Sequence, residues 1–387
     1  MSSDQRAVHV PLRTVGLEWT RIGVTGFGGP PAHIALLRRL VVQRRRWIDE
    51  RELEDAIAAC NLLPGPASTQ LAIFCARRVA GGVGAVVGGL GFIVPAVAMM
   101  LALSALFLAQ SAPAWIRGAG AGAGSAVAAV AVYAAAGLLR PSWTRAAGSV
   151  GRHARWAVYV VLGGASAATL GTYLVLVLLG CGALELALRA RASGALSVHS
   201  SPLLTAAATG GIGALAWVAL KVGALSYGGG FVIVPLMRGD AVHTYHWMSS
   251  TQFLTAVALG QVTPGPVVAT VAAVGYAAHG VGGGVLAAAI AFAPSFLFVL
   301  LGAAHFECLR SDRRAQSFLD GAGPAAIGAI LGAAIPLTAA LDEAWQFAVL
   351  AAAAVALLIA RRGIVSTLLA AGAVGAIVGV SGGPLPH

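Results

Sequence analysis

Charged side chains are scarce in this sequence, and long stretches have none at all. Asp, Glu, Lys and Arg make up 10% of the 387 residues, whereas 58% are hydrophobic and the mean hydropathy is +0.84. That balance excludes an ordinary soluble globular protein. The longest charge-free stretches are residues 79–116, 156–184 and 241–306. A spanning helix needs about 20 apolar residues, so the sequence predicts an all-α polytopic membrane protein.

Lysine is almost absent, since Lys221 is the only one in the chain. The formal net charge of +11 is therefore carried by arginines, which cluster beside the hydrophobic stretches. This clustering is typical of membrane topology and argues against nucleic acid as a partner. The four cysteines lack metal or redox spacing, so we assign them to helix packing and expect no metal or prosthetic group. The N-terminus lacks the features of a secretory signal, and we expect that it is not removed.

Glycine, in contrast, is abundant, with 51 residues. Small residues let helix backbones approach closely in lipid, where hydrophobicity does not drive helices together. The composition therefore predicts tightly crossing membrane helices.

The chain contains an internal repeat at an offset of 200 residues. Between residues 23 and 66, 12 of the 44 positions are identical to those 200 residues later. The matches include Gly28-Gly29 with Gly228-Gly229, and Pro64-Gly65-Pro66 with Pro264-Gly265-Pro266. A repeat of this length predicts two homologous halves, 1–195 and 200–387.

The arginines differ sharply between the two halves. Segment 37–52 carries six arginines, whereas its counterpart 237–252 carries one. By the positive-inside rule the first segment is cytoplasmic and the second faces the other side. Homologous loops on opposite sides predict an inverted-topology repeat, as in secondary transporters whose substrate site lies between the repeats.

The lengths of the apolar stretches predict the helices. In the first half we expect helices at 12–27, 52–80 (broken at 64–66), 82–109, 113–139, 155–169 and 170–190. In the second half we expect them at 203–227, 252–279 (broken at 264–266), 281–306, 318–341, 344–360 and 363–380. Segments 31–47 and 231–247 are amphipathic, and we interpret them as short helices or re-entrant pieces.

The duplicated Pro-Gly-Pro motif is the clearest functional signal. Proline removes a backbone donor, so each motif should end one half-helix and begin another. Unpaired backbone groups are tolerated in a membrane only against protein or a hydrated cavity, so the breaks predict a cavity. The N-terminus of a half-helix carries roughly +0.5 charge and free N–H groups, which favour an anion.

Two further features favour the same ligand. Arg21 and Lys221 occupy matching repeat positions just before glycine-rich segments, and a cation within a membrane segment is a functional-site hypothesis by default. The glycine-rich segments can expose amides to an oxyanion. Snorkelling of the two cations toward the interface and close helix crossing are the structural alternatives. The candidate binding residues are Arg21, Gly28, Gly29, Asn61, Pro64, Gly65, Pro66, Ser68, Thr69, Gln70, Lys221, Gly228, Gly229, Gly230, Gln261, Thr263, Pro264, Gly265 and Pro266.

Other polar groups carry weaker signals. The spacing of His243 and His246 could suit a metal, but Tyr245 and Trp247 beside them favour an interfacial belt. A membrane enzyme using His33, His279 or His305 as a base lacks a nucleophile or a carboxylate pair at suitable spacing. A scaffold or receptor would not explain the repeated breaks.

Several motifs resemble one known family. In the first half they are FGGPPAHIALLRR, NLLPGPASTQLA and GFIVPA, and in the second half YGGGFVIVPLM, ALGQVTPGPVVATVAAVGY and PSFLFVLL. In this order they are similar to the paired signatures of the bacterial chromate transporter family. The resemblance implies two homologous antiparallel domains in the inner membrane of a bacterium. It also implies chromate export from the cytoplasm and chromate resistance, with sulfate as a related substrate. The positions that match the family motifs are Gly28, Gly29, Pro30, Asn61, Pro64, Gly65, Pro66, Gln70, Gly228, Gly229, Gly230, Gln261, Pro264, Gly265 and Pro266.

Elementary energetics favours outward movement of a dianion. An inside-negative potential of about 100 mV supplies roughly 4.6 kcal/mol for two charges, at about 2.3 kcal/mol per charge. Proton coupling through Glu18, Glu54 or Asp55 stays open, as does the alternative of an importer or exchanger of sulfate or another oxyanion. The expected partners are a small oxyanion and the lipid bilayer, and the sequence allows but does not require a homodimer.

Overall fold

The computed structural model describes a helical chain. The described residues are 10–61, 63, 65–109, 112–146, 150–169, 171–192, 211–226, 231–302 and 312–386, and they contain no strand. The helices of the first half are α1 (Leu12–Thr25), α2 (Gly29–Arg38), α3 (Glu50–Cys60), α4 (Ala67–Phe107), α5 (Ala114–Ser125), α6 (Val127–Arg145), α7 (Val150–Thr169) and α8 (Leu174–Ala192). Those of the second half are α9 (Ile212–Leu225), α10 (Ile233–Arg238), α11 (Ser250–Val262), α12 (Val271–Gly302), α13 (Arg313–Thr338), α14 (Ala344–Ala354) and α15 (Ile364–Val380).

Most predicted helices lie within a few residues of their expected bounds. The amphipathic segments form α2 and α10, which continue as π-helical turns at Arg39–Arg44 and Gly239–Thr244. The helix expected at 113–139 is instead two helices, α5 and α6, and α6 continues through Pro141 to Arg145. Parts of the helices expected at 203–227 and 281–306, and the boundary between the halves, lie outside the described residues.

The first half begins with two helical hairpins whose open ends lie at one face. In the first hairpin, Glu18 of α1 pairs with Arg45 beyond α2 at 2.7 Å. In the second, Glu52 at the start of α3 pairs with Arg78 near the end of the first arm of α4. The tips of these hairpins are the Gly-rich segment and the first Pro-Gly-Pro break. The break therefore lies at the tip of a re-entrant hairpin and not within a helix that crosses the membrane.

α4 and α12 each fold back on themselves at a sharp turn. The turns contain Gly81, with φ +70°, and Gly280, with φ +63°, and this conformation suits glycine. Gly88 beyond the first turn packs against Ala76 before it, so the arms 67–79 and 82–107 are antiparallel. These turns separate the helices that the sequence predicts on either side of residue 81 and residue 280.

The two halves are inverted with respect to each other. Gly89 near the start of the second arm of α4 packs against Phe296 near the end of α12. Gly284, near the start of the second arm of α12, packs against Leu101 near the end of α4. These equivalent arms therefore run antiparallel, as the inverted repeat requires.

Beyond the hairpins the halves exchange helices. α13 of the second half packs on α7 and α8 of the first, and α5 of the first half packs on α15 of the second. A Cβ at Gly118 of α5 would overlap the carbonyl oxygen of Gly375 of α15, and a Cβ at Gly328 of α13 would overlap that of Val160 of α7. These close crossings confirm that glycine brings helix backbones together.

Four described helical segments are long and apolar enough to cross a membrane. They are Ala67–Phe107, Ala114–Arg145, Val267–Gly302 and Arg313–Thr338. Because the first and third fold back at residues 81 and 280, the parts of these two segments long enough to cross are the arms 82–107 and 281–302. Their number and length make this a multi-pass membrane protein.

Candidate functional site

The first Pro-Gly-Pro break packs against the second half of the chain. Pro66 precedes α4 as its capping residue. Gly65 has φ +112°, a conformation that L side chains rarely adopt. A Cβ at Gly65 would lie 2.7 Å from Gln70 Nε2, 3.3 Å from the carbonyl oxygen of Gly223 and 3.5 Å from Ser295 Oγ. The break therefore meets α9 and the second arm of α12.

The second break packs against the first half in the equivalent way. The N–H of Gly265 donates to the carbonyl oxygen of Gly26 at 3.0 Å. A Cβ at Gly265 would lie 2.7 Å from Ala96 Cβ and 3.4 Å from the carbonyl oxygen of Gly23. Gly23 and Gly223 are repeat partners, so each break contacts the first helix of the opposite half. The two breaks lie at the junction of the halves.

Depth along the neighbouring helices places both breaks near the middle of the fold. Ala96, beside the second break, lies 14 residues beyond the start of the arm 82–107. Ser295, beside the first break, lies 14 residues beyond the start of the arm 281–302. At about 1.5 Å per residue each break is roughly 21 Å from the start of its neighbouring arm. The arms run in opposite directions, so the breaks approach the same level from opposite faces.

The two breaks differ in accessibility. Asn61 and Gly65 of the first break line a cavity of about 410 Å³. Its other walls come from α6, which contributes Thr144 and Arg145, and from the middle of α13. In contrast, all residues from 263 to 270, around the second break, are buried. The expected cavity is thus found at the first break.

Neutral polar groups beside the breaks lack partners among the described residues. They are the Thr69 hydroxyl just after the first break, the side-chain amide nitrogen of Gln261 just before the second, the Ser295 hydroxyl near Gly65, and the hydroxyl of Ser226, which lies at the end of α9, three residues after Gly223. All four side chains are buried. A buried polar atom without a hydrogen bond costs about 1–3 kcal/mol, so such groups point to a ligand.

His33 connects the two hairpin tips of the first half. Its Nε2 lies 3.0 Å from the carbonyl oxygen of Gly26, and its Nδ1 lies 3.2 Å from Ser68 Oγ. A carbonyl only accepts, so Nε2 donates to it, and in the neutral ring Nδ1 accepts from the serine. His33 is fully buried, with the edge of its ring against Phe92. These bonds give His33 a structural role at the two hairpin tips. From the sequence, His33 was considered only as a possible enzymatic base.

The structure places Arg21 and Lys221, both predicted binding residues, in different environments. Lys221 Nζ pairs with Asp240 Oδ2 at 2.5 Å, and both side chains are buried. Pairing is what a buried charge requires, and it cancels the lysine charge. Arg21, in contrast, is exposed. The repeat correctly aligned these two residues, but the environments of the two side chains differ.

The remaining predicted residues fall into four groups. Gln70 is buried beside Gly65, and Thr263 Oγ1 donates to Met100 Sδ at 3.6 Å. Pro264 and Pro266 are buried with Gly265. Gly28 and Gly29 form the entry to α2. Four predicted residues lie outside the described ones: Pro64, Gly228, Gly229 and Gly230.

His243 belongs to a polar cluster outside the four candidate spans. Its Nε2 lies 3.0 Å from Arg238 Nη1, which donates to it. Burial, together with the charges of Arg238 and His246, lowers the pKa of His243. Tyr245 and Trp247 stack with ring centroids 4.7 Å apart, as expected for an aromatic interfacial belt.

Sequence reasoning missed several residues at the site. Ser226 and Ser295 are isolated hydroxyls in apolar segments, and that isolation was the available signal. Arg145 and Thr144 reach the cavity only because α6 extends beyond its expected end. α13 lines the cavity because the two halves exchange helices. The hydrophobic periodicity of the sequence does not reveal that exchange.

Comparison with known proteins identifies relatives along nearly the whole chain. The family model described as chromate transporter matches residues 13–186 and 213–379. The chromate transport protein of Cupriavidus metallidurans is 33% identical, over 97% of this chain and 94% of its own. The probable chromate transport protein of Synechococcus elongatus is 30% identical, over 87% and 88%. The chromate transport protein of Pseudomonas aeruginosa is 30% identical, over 84% and 80%. No solved structure shows a significant match.

Proposed function

The chain belongs to the chromate transporter family, and from that premise we propose that it exports chromate from the cytoplasm by alternating access at the two Pro-Gly-Pro breaks. The similarity to proteins named for transport points to a transporter and not to an enzyme.

The observation that carries the proposal is the set of neutral donors at the breaks. Thr69, Ser295 and Ser226 have buried hydroxyls without partners among the described residues, and Gln261 has such an amide nitrogen. A tetrahedral dianion has only acceptor oxygens, so hydroxyl and amide donors satisfy it and are satisfied by it. The N-terminus of α4, which begins at the first break, adds a partial positive charge of roughly one half.

A site built from neutral donors suits a substrate that must leave again. A dianion held by several full cations would be hard to release, whereas neutral donors bind it with modest affinity. Chromate and sulfate have the same shape and charge, so we expect this donor set to accept both. Sulfate is therefore included in the proposed substrate range.

The arginines and the membrane potential support the proposed outward direction of transport. The hairpins of the first half open toward the face that carries the six arginines between residues 38 and 51. By the positive-inside rule this face is cytoplasmic. The cavity is lined by Cys60 and Asn61 at the end of α3, and α3 begins at that face, where Glu52 pairs with Arg78. Moving a dianion outward across about 100 mV, inside negative, releases roughly 4.6 kcal/mol.

The difference between the breaks supports alternating access. The two-fold relation of the halves makes the breaks equivalent by sequence, yet only the first lines the described cavity, while residues around the second are buried. An exchange of these two environments would carry a ligand from one face to the other. We propose that the described conformation is the one open to the cytoplasm.

The test is uptake of radiolabelled chromate and sulfate into inside-out membrane vesicles. A potassium gradient with valinomycin makes the vesicle lumen positive, which reproduces the direction of the cellular potential. Saturable chromate uptake that rises with this potential supports electrogenic export. Uptake that ignores the potential and follows a pH gradient would favour proton coupling, and transport only in the opposite direction would favour the importer or exchanger.

The setting of this activity is also proposed. We expect the protein in the inner membrane of a bacterium, where export would give chromate resistance. The homodimer that the sequence allows can be tested by light scattering of the purified protein in detergent.

A further inference from the structure

The mouth of the cavity carries a group of arginines that the predicted site does not include. Beside the cavity lies a small pocket whose wall contains four arginines and two carboxylates: Arg145, Arg152, Arg155, Arg189, Glu185 and Asp320. Arg145 and Gly323 line both the pocket and the cavity, so the two spaces adjoin. The charged groups of the pocket wall have a positive balance.

A buried carboxylate fixes part of this wall. Glu185 is almost fully buried, and it accepts from Arg155 at 2.8 Å, from Arg189 at 2.8 Å and from the Tyr159 hydroxyl at 3.0 Å. Arg189 also pairs with Asp320 at 2.9 Å. These bonds hold α7, α8 and α13 together at the pocket. They engage two of the four arginines and both carboxylates.

Arg145 is different from these paired arginines. It lies at the end of α6, is exposed, and forms no ion pair with any residue that the structure describes. The cavity that Arg145 lines is also lined by Thr144 and by Asn61 and Gly65 of the first break. An exposed cation therefore borders the same space as the break.

We propose that Arg145 forms a capture site for the tetrahedral oxyanion at the cytoplasmic mouth of the cavity. This inference rests on the proposed function, since it concerns the route of the same substrate to the same breaks. A cation at a cleft bounded by apolar walls raises the local concentration of anions and their rate of entry. The cavity of about 410 Å³ is large enough for a hydrated tetrahedral anion, since a water molecule takes up about 30 Å³.

The capture site makes a prediction that differs from that of a binding residue at the breaks. A capture site changes the rate at which the anion enters the cavity, and this rate depends on ionic strength. The transport rate at saturating substrate depends on later steps. R145Q should therefore raise the KM for chromate about three- to tenfold at low salt with little change in kcat. R145K, which keeps the charge, should restore most of the affinity. Arg140 is an exposed arginine of α6 that lines neither space, so R140Q is the matched control.

The experiment measures initial chromate uptake into inside-out vesicles at about 20 and 200 mM salt, normalised to the amount of transporter. We expect the KM of the wild type and of R140Q to rise with salt and to approach that of R145Q, whose own KM should change little. If chromate uptake by the wild type is saturable and R145Q has the same KM and the same salt dependence as the wild type, the capture site is overturned while the proposed function stands. A wild type that accumulates neither chromate nor sulfate would overturn the proposed function, and the capture site with it.

Discussion

The backbone N–H of Gly265 donates to the carbonyl oxygen of Gly26 at 3.0 Å, which joins the second Pro-Gly-Pro break to the first hairpin tip of the opposite half. The same carbonyl is also contacted by His33 Nε2 at 3.0 Å. Two re-entrant elements, the first hairpin and the second break, thus meet at one acceptor. A change of conformation that opens the second break must break or shift this contact.

Replacing Gly265 by alanine should block transport. The alanine would have to keep the backbone φ near +96°, which L side chains rarely adopt. Its Cβ would also lie 2.7 Å from Ala96 Cβ, which belongs to a packed helix and cannot move aside. G280A is the matched control, since Gly280 also has positive φ but nothing lies within 4 Å of its added Cβ. Both variants should lose about 1–3 kcal/mol of stability from backbone strain. Chromate uptake should be lost in G265A and retained in G280A, and equal activity of the two would contradict the role of this contact.

The bonds of His33 predict coupling between the two hairpin tips of the first half. H33A and S68A should each lower stability by about 1–3 kcal/mol, because a buried polar partner loses its hydrogen bond. In the double variant the losses should not add, and the coupling energy should be about 0.5–1.5 kcal/mol. Thermal unfolding of the purified variants in detergent measures this. Additive losses would show that the two side chains do not interact.

Much of the architecture could be predicted because it depends on the lengths of the apolar stretches and on a long internal repeat. The turns at residues 81 and 280 fall between predicted helices, and the antiparallel arms of α4 and α12 agree with the inverted repeat. The π-helical turns after α2 and α10 and the exchange of helices between the halves were not predicted. These features depend on packing between segments far apart in the chain, which local periodicity does not report.

The position of the breaks was predictable and the charge around them was less so, while the role of the breaks in binding stays a prediction. The Pro-Gly-Pro breaks do lie at the junction of the halves. The ion pair of Lys221 was not predicted, because a lone lysine in an apolar segment gives no sign that Asp240, on the next helix, will pair with it. The aspartate has no counterpart in the first half, where the equivalent residue is Leu40, so the repeat could not reveal the pair either.

The pairing of Lys221 leads to a prediction about stability. K221Q should cost about 3–5 kcal/mol, because it leaves the buried Asp240 carboxylate without its cation. K221Q/D240N should recover most of that loss and most of the chromate uptake, since no uncompensated charge remains. R45Q, which breaks the more exposed pair between Arg45 and Glu18, is the control and should cost under about 1 kcal/mol. A stable double variant that no longer binds chromate would instead restore Lys221 to the substrate site.

The unpaired hydroxyls give the sharpest distinction between a packing role and a binding role. T69V and S295A remove buried hydroxyls that have no partner among the described residues, so stability without substrate should stay the same or rise by about 1 kcal/mol. A hydrogen bond to a charged ligand is worth about 1.5–3 kcal/mol, so the KM for chromate should rise about tenfold or more. S104A is the control, because Ser104 is another buried, unpaired hydroxyl, eight residues beyond Ala96 on α4. Thermal unfolding with and without chromate, together with uptake into vesicles, separates the two roles. If T69V and S295A behave like S104A in uptake, these hydroxyls do not bind the substrate, and the donors must be sought among the backbone amides of the breaks.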